Sequence, residues 1–333
     1  MEPILFISLI LGFFTTLFIL PRWIKRAERF GLAGKDMNKY NGRKIAEAGG
    51  VAVLTGFILG VLFYIAINTF YFKSTDNTIE IFALLTSILI LGFIGITDGL
   101  LGWKIGLRRR VRLILVLFAA IPLMVINAGN HSMSFQLLNG NLSWIYSLII
   151  IPIGIVGATA TFNFLAGFNG LEAGQGAIIL TALSLVAFLT GSSWLALIGL
   201  IMVVCLFAFL IFNLYPAKVF PGDVITYPIG GLIAIIAILG NFEKIAVFFF
   251  IPYILETILK SRGKLVKQSF GKPKKDGSLD LPYNKIYGIE HAAILMLQAA
   301  GFKATEKRVV YLIWSFQIFI IIAGLIIFRK GIF

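Results

Sequence analysis

The sequence predicts an all-α, polytopic membrane protein of about ten transmembrane helices, and three observations carry that prediction. Of its 333 residues, 59% are hydrophobic and 13% charged, and the mean hydropathy is +0.95, a balance foreign to soluble globular domains. Apolar runs of roughly 17–25 residues, the length that crosses a bilayer, recur along the whole chain. Basic residues fall almost entirely in alternate connections between those runs, as expected where loops alternate sides of a membrane.

The apolar runs place spans at about 3–21, 49–72, 79–97, 111–127, 144–162, 174–191, 194–213, 224–240, 244–259 and 309–328. The first is too long and too closely followed by others for a cleaved leader, and is expected to stay. Gly56 and Gly60 form a GxxxG pair in the second, which reads as helix packing. Asp98 ends the third, and the fourth follows an arginine-rich loop. Asn163 follows the fifth, and Asp223 opens the eighth. The chain is read as one membrane domain over 1–333, with a loop or lid at 260–308. There the Gly-Lys-Pro and Asp-Gly-Ser turn formers predict a small β or irregular insertion, followed by an amphipathic helix near 287–300. Cys205 is the single cysteine, so the chain has no disulfide framework and no cysteine metal site.

A net charge of +14 would suit nucleic acid, but its distribution points to topology and excludes that partner. Of 29 Lys and Arg, 25 lie in the connections 22–48, 98–112, 214–223 and 260–308. The positive-inside rule makes that side cytoplasmic and puts both termini outside. The protein is thus expected to be an integral membrane protein, in the plasma membrane if the cell is prokaryotic or archaeal, its partners including the surrounding lipids.

The unusual polar residues sit on the same side. Asn163 to Gly174 reads NFLAGFNGLEAG, Asp223 lies in FPGDV, and Glu47 lies in KIAEAGG. Intramembrane polar groups are expensive to desolvate and mark function. A transporter places such groups near the bilayer midplane, whereas an enzyme joining a soluble substrate to a lipid needs them at one interface. Asp223 and Asn163 are hard oxygen donors suited to Mg²⁺ or Mn²⁺. Arg108, Arg109, Arg110 and Arg112 follow Asp98 closely, and clustered guanidiniums suit phosphate. Metal ligands, carboxylates and arginines on one face describe phosphoryl transfer, and without a GxxxxGK[ST] segment this is not a P-loop enzyme.

NFLAGFNGLEAGQ, FPGDV and GFIGITDGLLGW together resemble the polyprenyl-phosphate N-acetylhexosamine-1-phosphate transferases, most of all the dolichyl-phosphate GlcNAc-1-phosphate transferase branch. The resemblance extends from the DMNKYNGRKIAEAGGV segment (Asp36 to Val51) through the loop after the ninth span. It implies a bundle of about ten helices that moves GlcNAc-1-phosphate from UDP-GlcNAc to dolichyl phosphate, releasing UMP, the first step of N-glycan lipid assembly. Carried over position by position, it implies Mg²⁺ ligation by Asn163 and Asp223. The uridine would meet Asn169, Gly170, Leu171, Glu172 and Phe220, with Met37 and Glu47 as further nucleotide contacts. A homodimer is compatible with the sequence.

Two departures stand out. Asp98-Gly99 replaces the family's acid pair, leaving one acid to take a proton from the lipid phosphate. Arginines replace the lysine that follows the pair, with Arg110 or Arg112 as its substitute. In the last cytoplasmic loop, Lys264, Lys267 and Gln268 are the nearest equivalents of the family's basic residues. His131 and His291 are read as structural. Asp223 also reads as a helix start, and most arginines of 108–112 also serve topology and lipid head groups. The competing functions are transfer of another UDP-HexNAc to undecaprenyl phosphate, and a lipid-linked transporter or flippase.

Overall fold

The computed structural model describes residues 2–101, 106–129 and 143–332; Lys104 and His131 lie outside them. Among the described residues, seven helices are long and apolar enough to cross a bilayer. The chain runs through α1 (Phe6–Arg29), α2 (Gly50–Ala66, continued by a π-type turn Ile67–Phe72) and α3 (Thr78–Leu101). After α4 (Arg109–Phe118) and α5 (Ile121–Val125), the short α6 (Ser143–Ile145) leads through a second π-type turn into α7 (Ile151–Phe162). Then come α8 (Leu171–Leu189), α9 (Ser193–Asn213), α10 (Asp223–Gly240), α11 (Glu243–Phe249) and α12 (Ile251–Arg262). The chain closes with α13 (Ile289–Ala299), α14 (Glu306–Ile327) and α15 (Arg329–Ile332).

Seven of the ten expected spans are thus single long helices, and the segments expected to form the other three hold shorter helices. Proline explains two of the breaks. Pro122 and Pro252 occupy the first turns of α5 and α12, where the missing N–H and fixed φ start a helix but do not continue one. The first helix runs further than expected, to Arg29. Arg22, Lys25, Arg26 and Arg29 therefore extend a helix and do not belong to a loop.

The centre of the bundle is α10. Every residue from Val224 to Ile238 is buried, as a helix apolar on all sides must be. It packs against α2, α3, α7, α8, α9 and α11. Small residues set the closest approaches. A methyl group on Gly95 of α3 would sit 2.3 Å from the Asp223 carbonyl oxygen, and one on Gly230 would sit 2.7 Å from that of Ala158. The contact at Gly95 brings α3 against the first turn of α10. Asp98, three residues further along the same helix face, then meets Asp223.

Two small antiparallel hairpins decorate the bundle. In the first, β1 (Ala33–Lys35) pairs with β2 (Lys44–Ala46), Gly34 opposite Ile45. In the second, β3 (Lys272–Pro273) pairs with β4 (Leu279–Asp280), Pro273 opposite Leu279. Within 260–308 the structure therefore holds a minimal hairpin and then the helix α13.

Candidate functional site

FPGDV is fastened to the first connecting segment by backbone hydrogen bonds. The Phe220 N–H donates to the Ala46 carbonyl at 2.8 Å, while Gly49 and Gly50 donate to the carbonyls of Phe220 and Pro221 at 2.9 and 3.0 Å. Gly222 has φ +69°, with the Ala48 Cα 3.1 Å from where a Cβ would lie. Only glycine fits a left-handed residue this crowded. That turn delivers Asp223 to the first residue of α10, where the helix dipole favours a negative charge.

The second motif is the loop between α7 and α8. Asn163 caps α7, and Gly167 and Gly170 have φ of +105° and +86°. Glu172, in the first turn of α8, reaches back to accept the Gly167 N–H at 2.9 Å. Asn38 accepts the Gly271 N–H at 3.0 Å and donates to the Gly167 carbonyl at 2.7 Å. One side chain thus ties the first segment, the motif loop and the 260–308 segment together.

These elements enclose a cavity of about 670 Å³. Its wall includes Met37, Glu47, Asn163, Glu172, Phe220 and Asp223, six of the residues singled out in the sequence, together with Lys35, Phe168, Asn213, Thr226 and Phe270. Glu47 packs over Gly34 of β1, and burial pushes its carboxyl above the ordinary carboxylate range. Thr226 donates to Asn163 Oδ1 at 3.1 Å.

Asp98 and Asp223 lie within hydrogen-bonding reach of each other. Asp98 accepts the Leu107 N–H at 2.7 Å and pairs with Arg112 at 2.6 Å. The same guanidinium stands 4.0 Å from Asp223. Among the described residues no cluster of three or more His, Cys, Asp or Glu is placed to hold a metal. The oxygens of Asp223 and Asn163 nevertheless line one cavity, with a second carboxylate behind them and one guanidinium to offset two acids. That donor set is hard, has excess negative charge and leaves room for substrate oxygens, so it fits Mg²⁺ or Mn²⁺.

A second cavity of about 190 Å³ adjoins the first and shares Asn163 with it. Arg112, Lys260 and Lys267 line it and no carboxylate does, while Leu113, Val116, Phe164 and Leu265 supply an apolar wall. Leu113 and its neighbours Ile114 and Leu117 are exposed on α4.

Other expected residues lie elsewhere. Asn169 is turned away from the larger cavity, its side chain donating to Asp36 at 3.2 Å and its backbone N–H to Glu306 at 2.8 Å. Gly170 faces Leu214, and Leu171 is buried, its carbonyl accepting from Trp314 at 3.4 Å. The two left-handed glycines make the loop double back, which separates these residues from Asn163 and Glu172. Arg110 is exposed and lines neither cavity. Lys267 stands on the smaller cavity, its ammonium 4.7 Å from the Tyr283 ring centre, and the Gln268 N–H donates to the Tyr283 hydroxyl at 3.3 Å.

Asn213 and Thr226 escaped the sequence reading, although both carried a signal, being polar residues at the ends of apolar spans. Asn213 is 1% exposed and donates to the Val219 carbonyl at 2.8 Å. Its Oδ1 has no partner among the described residues.

The fold and site define an integral membrane bundle with a carboxylate–guanidinium cluster between a larger cavity and a smaller, cationic and apolar-walled one. Residues 81–241 match the family described as glycosyl transferase family 4. A Dictyostelium discoideum protein named UDP-N-acetylglucosamine–dolichyl-phosphate N-acetylglucosaminephosphotransferase is 30% identical, over 76% of this chain and 69% of its own length. A Saccharolobus solfataricus protein that carries the same name provisionally is 36% identical, over 96% and 94%. A Halalkalibacterium halodurans protein named phospho-N-acetylmuramoyl-pentapeptide-transferase is 27% identical, over 80% and 86%. The chain belongs to glycosyl transferase family 4, within the polyprenyl-phosphate N-acetylhexosamine-1-phosphate transferases.

Proposed function

We propose that the protein transfers GlcNAc-1-phosphate from UDP-GlcNAc to a polyprenyl phosphate of the dolichyl type, releasing UMP, as the first step of N-glycan lipid assembly on the cytoplasmic face of the membrane. The observation that carries this reading is the junction at Asn163. There a cavity large enough for a nucleotide sugar meets a smaller one that is cationic and apolar-walled, with Asp98, Arg112 and Asp223 between them. The names of the archaeal and Dictyostelium relatives favour the GlcNAc donor and dolichyl acceptor.

In this reading the uridine lies against Phe220, Met37 and Glu47 in the larger cavity. Asn163 and Asp223 hold Mg²⁺, which neutralises diphosphate charge when bound. The segment 260–308 covers the nucleotide through Phe270. The acceptor phosphate enters the smaller cavity toward Arg112, a planar guanidinium suited to phosphate oxygens. Asp98 takes the proton that a phosphate monoester still carries in part near neutral pH. An acceptor oxygen then attacks the β-phosphorus, the bond from that phosphorus to the bridging oxygen breaks, and UMP leaves with the bridging oxygen. Positioning and charge neutralisation supply most of the acceleration.

The test is UMP release by purified protein from UDP-GlcNAc, dolichyl phosphate and Mg²⁺, with chelation and Asp223→Ala as negative arms. Release in wild type alone, abolished by chelator, supports the reading. Release only with UDP-MurNAc-pentapeptide would move it to the reaction type named for the bacterial relative, and release only with UDP-GalNAc or undecaprenyl phosphate would change the donor or the acceptor. Failure with every donor and acceptor would sink it.

A further inference from the structure

Lys260 is the cation of the smaller cavity that no motif marks. It lies in the last turn of the twelve-residue helix α12, and its side chain is only 14% exposed. Its ammonium donates to the Phe164 carbonyl, just beyond the C-terminus of α7, and stands 3.4 Å from Glu256 Oε1. Lysine at a helix C-terminus often does no more than satisfy a carbonyl. Two further observations go beyond capping. The ammonium is on the wall of a cavity that holds two other cations and no acid. It is also backed by a built support. Glu256 is fully buried, and its Oε2 accepts the Ile289 N–H at 2.6 Å.

Behind Glu256 lies Glu290, also fully buried. The two carboxyls converge over Gly288, where a Cβ would be 2.6 Å from Glu290 Oε2 and 3.1 Å from Glu256 Oε1. Neither oxygen of Glu290 has a donor of good geometry among the described residues. Burial and the neighbouring Glu256 push the Glu290 carboxyl far above the carboxylate range. Of the two carboxyls, Glu256 is the one that faces Lys260. A buried carboxylate held this way fixes an ammonium that would otherwise sample many rotamers.

We propose that Lys260 binds the phosphate of the lipid acceptor, and that Glu256, backed by the buried Glu290, is its positioning residue. The proposal rests on the reading of the smaller cavity as the acceptor's. It adds that the acceptor phosphate is gripped from two sides, by Arg112 of α4 and by Lys260 of α12. Because Lys260 also bonds the Phe164 carbonyl, next to Asn163, an arriving phosphate is read by the loop that faces the donor.

The test is equilibrium binding of geranyl and farnesyl phosphate to the full chain by titration calorimetry, with KM for both substrates where turnover occurs. Lys260→Met is expected to weaken both prenyl phosphates by the same factor, roughly tenfold to a hundredfold, the range of a charge-assisted hydrogen bond. The KM for UDP-GlcNAc should change less than about twofold, since the donor makes no contact with this residue in the proposal. Lys260→Arg should restore most of the loss, and Lys285→Met, the same charge change at an exposed residue that lines neither cavity, should cost nothing. Glu256→Gln should weaken the acceptor less than Lys260→Met does, and the double variant should match Lys260→Met alone, as coupled residues require. A thermal midpoint that rises with UMP as in wild type would show that each variant keeps its donor cavity. Unchanged acceptor binding in Lys260→Met would overturn the proposal, as would parallel losses for donor and acceptor. If wild type binds prenyl phosphate through Lys260 yet releases no UMP, the proposed function fails and the assignment of Lys260 stands.

Discussion

Two clusters of the same composition, two carboxylates and one cation, flank the loop between α7 and α8, and they are built to opposite ends. On the cavity side, Asp98, Asp223 and Arg112 leave valence unused. Asp98 takes one backbone N–H, Asp223 is a quarter exposed, and the Arg112 Nε has no partner among the described residues. On the far side, Asp36, Glu306 and Lys39 also line a cavity, of about 330 Å³, but close on themselves. Asp36 accepts from the Asn38 N–H and the Asn169 amide, Glu306 accepts the Asn169 N–H, and Lys39 pairs with both acids. A satisfied buried network rigidifies, whereas one with free lone pairs facing a cavity waits for a ligand. Composition alone does not separate a strut from a site. Hydrogen-bond satisfaction does.

The largest expected effect breaks the open cluster. Asp223→Asn should lower the rate of UMP release about 100-fold or more, the scale on which a charge-stabilising group acts in a transition state. Its thermal midpoint should stay level or rise, because one of two apposed acids is neutralised. Loss of activity together with loss of folding would instead make the open cluster a strut. The next effect is the mirror image. Glu306→Gln removes the charge that faces Lys39 in the closed cluster and should destabilise by about 1–3 kcal/mol, the penalty for a buried group left poorly paired, while kcat of the folded fraction is retained. A kcat collapse at an unchanged midpoint would put Glu306 in the chemistry.

The sequence carried the class and six residues of the larger cavity's wall. Apolar runs show spans because the bilayer permits little else, and Asn163, Glu172, Phe220 and Asp223 stand out because polar groups in such runs are costly. What it hid were directions. Asn169 lies six residues from Asn163 in one motif, yet left-handed Gly167 and Gly170 send its side chain to the opposite face. Glu306 reads as an ordinary acidic helix start, and only the tertiary structure sets it against Lys39 and Asn169. The fourth and ninth spans looked whole because hydropathy averages over the prolines that break them. Lys260 reads as one of many basic residues in the 260–308 connection, and nothing in one sequence sets it apart.

A smaller effect probes the rim of the open side. The Glu47 carboxyl is pushed upward by burial, so the folded state holds its proton at pH values where the unfolded chain releases it. Wild-type stability should therefore fall as pH rises from the ordinary carboxylate value through the raised one, because the unfolded state then binds fewer protons. Glu47→Gln removes that term, and its midpoint should gain on wild type across the same window. Identical pH profiles would show that solvent reaches the carboxyl freely.

The smallest effect separates two arginines that the sequence could not rank. Arg112 contacts both acids of the open cluster and lines the smaller cavity, whereas Arg110, two residues earlier on α4, is exposed and lines neither cavity. Residues two apart on a helix do not share a face, so one turn of α4 can present one guanidinium to substrate and another to the surroundings. Arg110→Ala should change UMP release by less than about twofold, as for exposed charges generally, with any residual effect shrinking as salt screens it. Arg112→Ala should cost about tenfold or more in kcat/KM for the acceptor, and salt should not restore it. Equal losses at the two positions would mean that the arginine loop acts as a diffuse positive field, and the open cluster would then no longer differ from its surroundings.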